Sequence, residues 1–482
     1  MRQINMDRRH RIFSLAKSLE EIANARHSLL LQLEDLATRE KVVQAEHNIL
    51  HNLEATTSNV ADEIMAMIFG MGMTISHEEN PLSPWPFGEV VSLVSHRWRS
   101  IALDTPSLWT FIKYTLRPLR GCAAYLSRSR LAPVDIYIAH REVNYSLLQS
   151  INEHFGRCRS FCVFTSTKED VQRILECVSC HTVPLLRKLS MGSYHPNLKF
   201  PAQLFPLGAP NLKIVQLMGL NFETIPQAFC LPAFEAVTHL RLSHVNINNV
   251  ESYISFRVVL EALQHLSHLE LHLQTIPELP PQLPIVLPAL KFLRVDFTCR
   301  MNLNYINKYI HSSSLISLSL SGWIKGENAL DESNLVKSHF PSLRHLFLTG
   351  RVSAALPQFD SLAKTYQGIE RMTCRAHFDR IGDDIEDILA AILGNPAGED
   401  EEDASRLPWP KMHAIAVEDM RKPVDASALR SIILKLRGTG SSIHTLLLPQ
   451  VCVADGDVEA LRDIIKIEYC GNEWPKPFSF FF

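Results

Sequence analysis

Glycine is sparse and scattered in this sequence, which therefore lacks the Gly-rich loop that cradles phosphate groups. The Gly-x-Ser-x-Gly nucleophile elbow and the metalloprotease motif His-Glu-x-x-His are also absent. The 21 histidines are scattered, and no spacing among them marks a general base. These absences predict that the chain is not an enzyme and that it needs no cofactor.

The sequence also lacks a strong excess of charge and a long apolar run. The net charge is −3, which provides no overall field to attract nucleic acid or an anionic membrane. No apolar run is long enough to cross a bilayer, and no secretory signal opens the chain. We therefore expect an intracellular protein of the cytoplasm or nucleus, with reduced cysteines and no nucleic-acid or membrane partner.

One group of cysteines has spacings that suit a metal. Cys177 and Cys180, followed by His181, match the pattern that attaches c-type haem, and Cys158 and Cys162 precede them at a spacing that zinc tolerates. Haem attachment of this kind belongs to exported proteins. Cys158 also falls on a repeat position that is predicted to be buried, and buried thiols are common. We expect no metal, and a zinc site is the alternative.

The first 60 residues contain neither proline nor glycine, and their periodicity predicts one long helix over residues 10–53. One heptad position, here called the seam, is apolar throughout: Leu15, Ile22, Leu29, Leu36, Val43 and Leu50. The second heptad position includes Arg26, Glu40 and His47, and such polar residues fix register at a cost in stability. The prediction is a coiled coil that self-associates. The alternative is an amphipathic helix lying on the body of the same chain.

Two short helices are predicted next, over residues 60–69 and 89–102, separated by a loop from Gly70 to Gly88 that is rich in proline and glycine. A turn ending in Trp109 places that side chain beside them. The apolar face of the first helix carries Val60, Ile64 and Ile68. That of the second carries Val90, Val94, Trp98 and Ile101, widened by Leu93.

This segment resembles the F-box, in the long-loop form common in large fungal F-box families. The match rests on Asp-Glu-Ile-Met…Ile-Phe at 62–69, Leu-Val-Ser-His-Arg-Trp-Arg-Ser-Ile-Ala at 93–102 and Thr-Pro-Ser-Leu-Trp at 105–109. The usual Leu-Pro opening is Val60-Ala61 here, and the usual Cys before the basic-Trp pair is Ser95. The alternative is an ordinary helical hairpin with a Trp in its core.

The resemblance implies a three-helix module, at residues 57–112, that docks on the Skp adaptor of a cullin–RING ubiquitin ligase. The residues expected to bind the adaptor are Val60, Ile64, Ile68, Phe69, Val90, Leu93, Val94 and Trp98.

After Trp109, a pattern of apolar-x-x-apolar-x-apolar recurs about every 25 residues. Its copies begin at Leu186, Leu212, Val237, Leu266, Leu290, Leu315, Leu343, Ile369, Met412 and Ile443, with fainter copies at Leu131 and Cys158. Each copy predicts a short strand with one buried face, which is stable only when neighbours stack. Helices are predicted between strands at 169–177, 252–266, 304–311, 384–393 and 426–436.

This pattern is typical of leucine-rich repeats, and the chain resembles F-box proteins that carry them at the C-terminus. The repeats are placed at 113–470 and an apolar tail at 471–482. The Asn or Cys that usually follows each strand is replaced throughout, so an irregular solenoid is expected. We expect the acidic run at 399–403 to be a solvated loop and residues 457–467 to form a capping helix. The tail is expected to fold onto the last repeat or to bind a partner.

Stacked strands would place the residues between their apolar positions on one concave face. That face would carry both charge signs and aromatics, as protein-binding surfaces do: His239, Arg241, His268, Glu270, His272, Phe292, Arg294, Asp296, His345, Phe347, Arg371 and Arg375. The contacts to a target are expected at Arg241, Glu270, Phe292, Arg294 and Phe347. The alternative is that these are ordinary solvated strand positions.

A chain of 482 residues is too long for one compact core. The sequence predicts an α/β protein with a long N-terminal helix or coiled coil, a three-helix F-box and an irregular leucine-rich-repeat solenoid of parallel strands plus helices. The expected function is substrate recognition in a Skp–cullin–F-box ubiquitin ligase, with an unknown protein as target. The competing prediction is a leucine-rich-repeat scaffold that binds protein independently of any ubiquitin ligase.

Overall fold

The computed structural model describes residues 2–79, 86–114, 119–139, 143, 145–165, 167–193, 204–220, 222, 232–275, 283–297, 304–321, 339–349, 359–375, 389, 409–418, 425–438, 442–450, 461–469 and 474–478. The chain divides into two compact units, Met1–Leu108 (unit 1) and Trp109–Phe482 (unit 2). The predicted acidic loop at 399–403 lies outside the described residues, as does the helix predicted at 384–393 except for Leu389.

Unit 1 is helical. Its helices are α1 Arg2–Glu54, α2 Asp62–Glu79, α3 Phe87–Ser92 and α4 His96–Asp104. Residues 6–52 of α1 are all exposed, including the seam, so within the described part of unit 1 this stretch of the helix packs on no other element.

Helix α2 continues through Gly70 and Gly72, so the prediction that it ends at Phe69 is wrong. A Cβ atom on Gly72 would clash with the tip of the Phe87 ring. The glycine therefore admits the aromatic ring of α3 close to the helix, a contact that offsets the low helix propensity of glycine.

The predicted second helix is broken in two, because α3 ends at Ser92 and α4 begins at His96. Ser95 adopts an extended backbone, and its side chain accepts a hydrogen bond from the backbone N–H of Trp98 at 3.2 Å. Serine is a favoured N-cap because it satisfies an otherwise unpaired N–H in the first turn. Because of the break, Val91 is buried in the core, whereas Val90 and Val94 are exposed. The predicted apolar face that joins Val90 and Val94 to Trp98 and Ile101 is therefore not a single buried face.

Unit 2 alternates strands with helices. Its strands are β1 Phe111–Tyr114, β2 Val134–Ile138, β3 Cys158–Thr165, β4 Lys188–Ser193, β5 Ile214–Met218, β6 His239–Asn246, β7 His268–Thr275, β8 Ile285–Val286, β9 Phe292–Phe297, β10 Ile310–His311, β11 Ser317–Ser321, β12 His345–Thr349, β13 Arg371–Arg375, β14 Ala414–Glu418, β15 Thr445–Leu448 and β16 Lys466–Tyr469. Its helices are α5 Leu119–Arg128, α6 Tyr145–His154, α7 Lys168–Val178, α8 Val250–Ala262, α9 Asn304–Tyr309, α10 Phe359–Thr365 and α11 Ala426–Gly438.

Within the described residues, fourteen strands form one sheet whose order follows the chain, while β8 and β10 pair separately. Every strand pairs parallel with its neighbours, and the apolar strand residues stay in register from β4 to β15. The aligned residues are Leu189, Val215, Leu240, Leu269, Leu293, Leu318, Leu346, Met372, Ile415 and Leu446, all fully buried. The prediction of an α/β protein with a long N-terminal helix and a large parallel sheet with helices is confirmed.

Both ends of the sheet differ from the prediction. Strand β1 was not predicted, and Leu131, taken as the start of a repeat, is 92% exposed in the turn before β2. Residues 466–467 were assigned to a capping helix but belong to β16, which pairs parallel with β15. Trp109 is fully buried, and its described contacts are with the Tyr125 ring and the Arg128 guanidinium of α5.

Candidate binding surfaces

Arg97 of α4 fixes the entry into α2. Its guanidinium donates hydrogen bonds to Asp62 Oδ1, with the Nη2–Oδ1 distance 2.6 Å, and to the backbone oxygens of Thr57 at 2.9 Å and Ser58 at 2.8 Å. It also donates to the backbone oxygen of Val60. One side chain therefore ties the turn after α1 to α4, and this link replaces the rigid entry that a proline would provide.

The core of unit 1 lies on the inner side of α2. Met65, Phe69, Val91 and Ile101 are buried, and the Phe69 and Trp98 ring centroids are 5.0 Å apart. Phe69 was predicted to bind a partner, but its burial makes it part of this core instead. Trp98 is half-buried against it.

The outer side of α2 carries an exposed apolar stripe, here called the α2 stripe: Ile64, Met67, Ile68, Met71 and Ile75. Ile64 and Ile68 are 49% and 51% exposed, and Val90, Leu93 and Val94 add further exposed apolar side chains after α2. Contiguous apolar surface of this kind marks an interaction site in a folded protein. Of the predicted adaptor-binding residues, Ile64, Ile68, Val90, Leu93 and Val94 are accessible, and Val60 is half-buried in the turn before α2.

Unit 2 presents a second surface on the sheet. Side chains at alternate strand positions point away from the aligned apolar core, and this side of the sheet is here called the polar face. Arg241, Glu270, Arg294, Ser319 and Phe347 occupy one row of it, because each is in register with the next. The sheet thus brings together four of the five predicted target-binding residues, and the fifth, Phe292, lies two positions before Arg294 on β9.

A hydrogen-bonded ionic group lies at the centre of the polar face. Arg241 Nη2 is 2.6 Å from Glu270 Oε2, and His268 Nε2 is 3.0 Å from Glu270 Oε1. Because an ionised carboxylate only accepts hydrogen bonds, the proton of this contact lies on His268 Nε2. Glu270 and His268 are both buried, so the charges of the group are screened little by solvent.

The C-terminal segment 474–478 lies on this group. Trp474 Nε1–H donates to Glu270 Oε1 at 3.1 Å, and the indole contacts the rings of Phe347, His268 and Phe292 at centroid distances of 5.1, 5.6 and 6.0 Å. All three contacts are edge-to-face, an arrangement that aromatic pairs favour. Trp474 is buried as a result. The tail was expected on the last repeat, and the described part of it lies on middle strands instead.

Phe478 makes the second contact of the tail with the polar face. Its ring lies 5.5 Å from that of His268, and the Arg241 guanidinium stacks over it at 4.5 Å from the ring centroid. Such a cation–π contact gains strength when the pair is desolvated, and Phe478 is buried. Arg241 therefore serves two partners, the carboxylate of Glu270 and the ring of Phe478.

Strand β11, which lies between β9 and β12, has small side chains where the indole ring of Trp474 lies. Strand β11 places Ser317 and Ser319 on the polar face, and both are buried. Phe292 on β9 and Phe347 on β12 flank these small side chains. Phe292 and Phe347 thus form the walls of a groove across β11, and the indole of Trp474 contacts both walls.

The same contacts set the charge state of Glu270. Burial by itself raises the pKa of this carboxyl, but the hydrogen bond from His268, the charge of Arg241 and the indole N–H of Trp474 outweigh it and lower the pKa to about 2. Glu270 is therefore ionised at neutral pH and presents a strong acceptor to an N–H donor.

The tail covers four of the five residues predicted to bind a target: Arg241, Glu270, Phe292 and Phe347. Arg294 instead pairs with Asp296 of its own strand at 3.0 Å. Sequence reasoning placed His268 on this face but missed Trp474 and Phe478 as its occupants. The sequence marks them only as two aromatic residues on either side of Pro-Lys-Pro, which does not show where they bind.

The cysteine cluster is spread over two elements. Cys158 and Cys162 are buried in β3, and burial raises the pKa of both thiols, that of Cys162 to about 12. Cys177 lies in α7, where its thiol contacts the Leu148 backbone oxygen, and Cys180 is exposed after that helix. In the part of the chain that the structure describes, no group of three or more His, Cys, Asp or Glu side chains could hold a metal ion.

No helix among the described residues has both the length and the apolar character that crossing a membrane requires. No protein-family model matches this chain, and no curated protein is significantly similar to it in sequence.

Proposed function

We propose that this chain is the substrate-recognition adaptor of a Skp–cullin–F-box ubiquitin ligase. In this proposal, residues 57–112 form the F-box that docks the Skp adaptor, and the sheet of unit 2 is an irregular leucine-rich-repeat array that binds a target protein. The chain would carry no catalytic step of its own and would act in the cytoplasm or nucleus.

The observation that carries the proposal is the exposed α2 stripe. Its members lie on one side of α2, while Met65 and Phe69 on the other side form the core with Val91. The helix therefore has two apolar sides, and only one is used within the described chain. An apolar side that stays exposed is what a docking helix needs to engage a partner.

The interpretation of unit 2 as a repeat array is supported by the order of the strands in its sheet. Each strand of unit 2 pairs with the preceding and following strands of the chain, and the apolar positions stay in register across them. Such nearest-neighbour stacking is how repeat arrays bury a continuous core. The same order produces a continuous row of side chains on the polar face, which a target protein can contact.

The test is capture of the purified Skp adaptor by the full chain. Ile64→Asp places a charge in the α2 stripe and should abolish capture while thermal unfolding stays unchanged, because Ile64 lies outside the core. Leu30→Asp introduces the same charge at an exposed apolar position of α1 outside the seam and should leave capture intact. Capture by Ile64→Asp at the level of the parent chain would refute the F-box assignment.

The second candidate is a protein-binding scaffold that works without a ubiquitin ligase. The departures at Val60-Ala61 and Ser95 favour it, because these positions differ from the family pattern. It predicts that the parent chain captures no Skp adaptor at all, while unit 2 still binds its target.

A further inference from the structure

The contacts that hold the tail on the polar face could also be made by a peptide segment of another protein with the same side chains. In the described part of the tail, residues 474–478, the buried side chains are Trp474 and Phe478, and the positions between them are half-buried or exposed. The contacts are one hydrogen bond to Glu270, a set of ring contacts and one cation–π pair with Arg241. These are the anchor residues and pocket contacts that dominate peptide and protein interfaces.

The length of the tail fits the sheet. Proline at 475 and 477 favours an extended backbone, in which four residues cover roughly 12 Å. This distance is between two and three strand spacings of about 4.8 Å. Trp474 accordingly lies between β9 and β12, and Phe478 lies over β6 and β7.

We infer that the polar face of β6 to β12 is a binding site for an extended, proline-containing peptide with a Trp and a Phe four positions apart, and that the C-terminal tail is its tethered occupant. The target protein presents such a segment and displaces the tail. The inference rests on the proposed function only for the role of the ligand as a target for ubiquitylation.

The tryptophan is the specificity-determining residue of this ligand. Its indole N–H meets the ionised carboxylate of Glu270, and its ring fills the groove between Phe292 and Phe347. Phenylalanine at this position can fill part of the groove, but it leaves Glu270 without the third of its described partners. Since a hydrogen bond to a charged group is worth more than a neutral one, the loss should weaken binding by roughly 10-fold or more.

The tether makes the tail a strong competitor. Four residues of sequence separate Tyr469 of β16 from Trp474, and attachment over so short a span gives the tail an effective concentration on the order of millimolar at the site. A free peptide of the same affinity must compete against this concentration, so its apparent affinity is reduced by the fraction of chains whose site is empty. Release of the tail should therefore strengthen peptide binding without any change in the site itself.

The experiment uses the full chain with a specific protease site inserted directly before Trp474, so that the tail is present during folding and is cut afterwards. The probe is a fluorescein-labelled peptide with the sequence of residues 472–480, followed by fluorescence anisotropy. Cutting and removing the freed tail should increase the apparent affinity for the probe by about 10-fold or more. Probe peptides with Ala or Phe in place of Trp474 should bind the cut chain more weakly, with Ala the weakest.

Two variants of the uncut chain provide a second measurement. Phe478→Ala removes one anchor of the tail and should increase the affinity for the probe, whereas Tyr145→Ala, which removes an exposed aromatic ring of α6, keeps both anchors and should not. Equal binding of the probe before and after cutting, or equal binding of the Trp and Ala peptides, would overturn the inference. So would a freed tail that stays bound and never exchanges with the probe.

These outcomes are separable from those of the proposed function. Peptide binding is measured on the chain alone, and adaptor capture depends on unit 1. Failure of the peptide assay with intact capture would remove only this inference, and failure of capture with intact peptide binding would remove only the ligase assignment.

Discussion

Trp474 donates its indole N–H to Glu270, a residue 204 positions earlier in the chain. Without the indole, Phe292 and Phe347 would flank an open groove. Without the carboxylate, the buried indole N–H would lose its described acceptor. The two residues therefore depend on each other, and the ionisation of Glu270 controls the stability of the contact.

Glu270→Gln should lower the free energy of unfolding by about 3 kcal/mol at pH 7, because it leaves Arg241 without a buried counter-charge. The folded-state pKa of Glu270, about 2, lies below its ordinary value of 4.5. The ionised carboxylate therefore stabilises the fold above pH 4.5, and that contribution is lost as the pH falls from 4.5 toward 2. Urea titrations at pH 7 and at pH 2.5 should show the difference between parent and variant shrinking. Glu370→Gln, which breaks a more exposed pair with Arg344, should cost under about 1 kcal/mol at either pH.

Arg97→Ala should destabilise unit 1 by about 2 kcal/mol or more, because it removes hydrogen bonds to Asp62 and to three backbone oxygens together. Hydrogen exchange of the amides at 57–62 should accelerate. The control is Arg99→Ala, whose guanidinium donates to the backbone oxygen of Ser92. Equal exchange in the two variants would show that Arg97 does not hold the entry into α2.

The two glycines of α2 should respond in opposite directions to alanine. A Cβ on Gly70 meets nothing within 4 Å, so Gly70→Ala should stabilise the helix by about 0.5–1 kcal/mol through propensity alone. Gly72→Ala gains the same propensity but forces the Phe87 ring to move, so we expect a net loss of about 1 kcal/mol. Thermal unfolding of both variants measures the difference, and a stabilising Gly72→Ala would mean that the Phe87 contact is unimportant.

The seam of α1 should drive self-association, because its apolar residues are exposed in the single chain. Changing Ile22 and Leu29 together to Asp should dissociate the assembly, as measured by sedimentation equilibrium. Leu30→Asp is a matched control, since Leu30 is exposed but lies outside the seam. A parent chain that sediments as a monomer at all concentrations would contradict this prediction.

Gln216→Leu should stabilise unit 2 by about 1 kcal/mol. The side chain of Gln216 is fully buried, and among the described residues neither its amide nitrogen nor its oxygen has a hydrogen-bond partner. An unpaired buried amide costs free energy that a leucine of similar size does not. Gln149→Leu, on the exposed side of α6, should change the unfolding midpoint little, and a lower midpoint for Gln216→Leu would indicate a partner in solution.

The strands could be predicted because their apolar residues alternate and recur, and the buried register from Leu189 to Leu446 follows directly from that recurrence. The long helix could be predicted from the absence of helix breakers. The path of α2 could not, because each glycine disfavours a helix by about 1 kcal/mol, and the ring that packs against Gly72 belongs to Phe87, 15 positions later in the chain. Serine at position 95 is a favoured N-cap residue. The apolar residues on both sides of it nevertheless continue one helical pattern, so the sequence does not show the break between α3 and α4.

The polar face could be predicted from the sequence, but the tail that covers it could not. Periodicity places Arg241, Glu270, Phe292 and Phe347 on one side of a sheet, since alternate positions share a side. It contains no information about what covers them. Trp474 and Phe478 lie outside the repeat, and two aromatic side chains in a tail can reach many strands equally well by sequence alone.

The distance along the chain between the groove and its occupant has a consequence for synthesis. A ribosome adds roughly 5–20 residues per second, and the polar face of β6 to β12 is complete once Thr349 has been made. Trp474 follows after a delay on the order of ten seconds. During this interval Phe292 and Phe347 stand uncovered on a nascent chain that can already begin to fold. The first occupant that the groove meets is therefore whatever the nascent chain encounters, a chaperone included, and the tail arrives second.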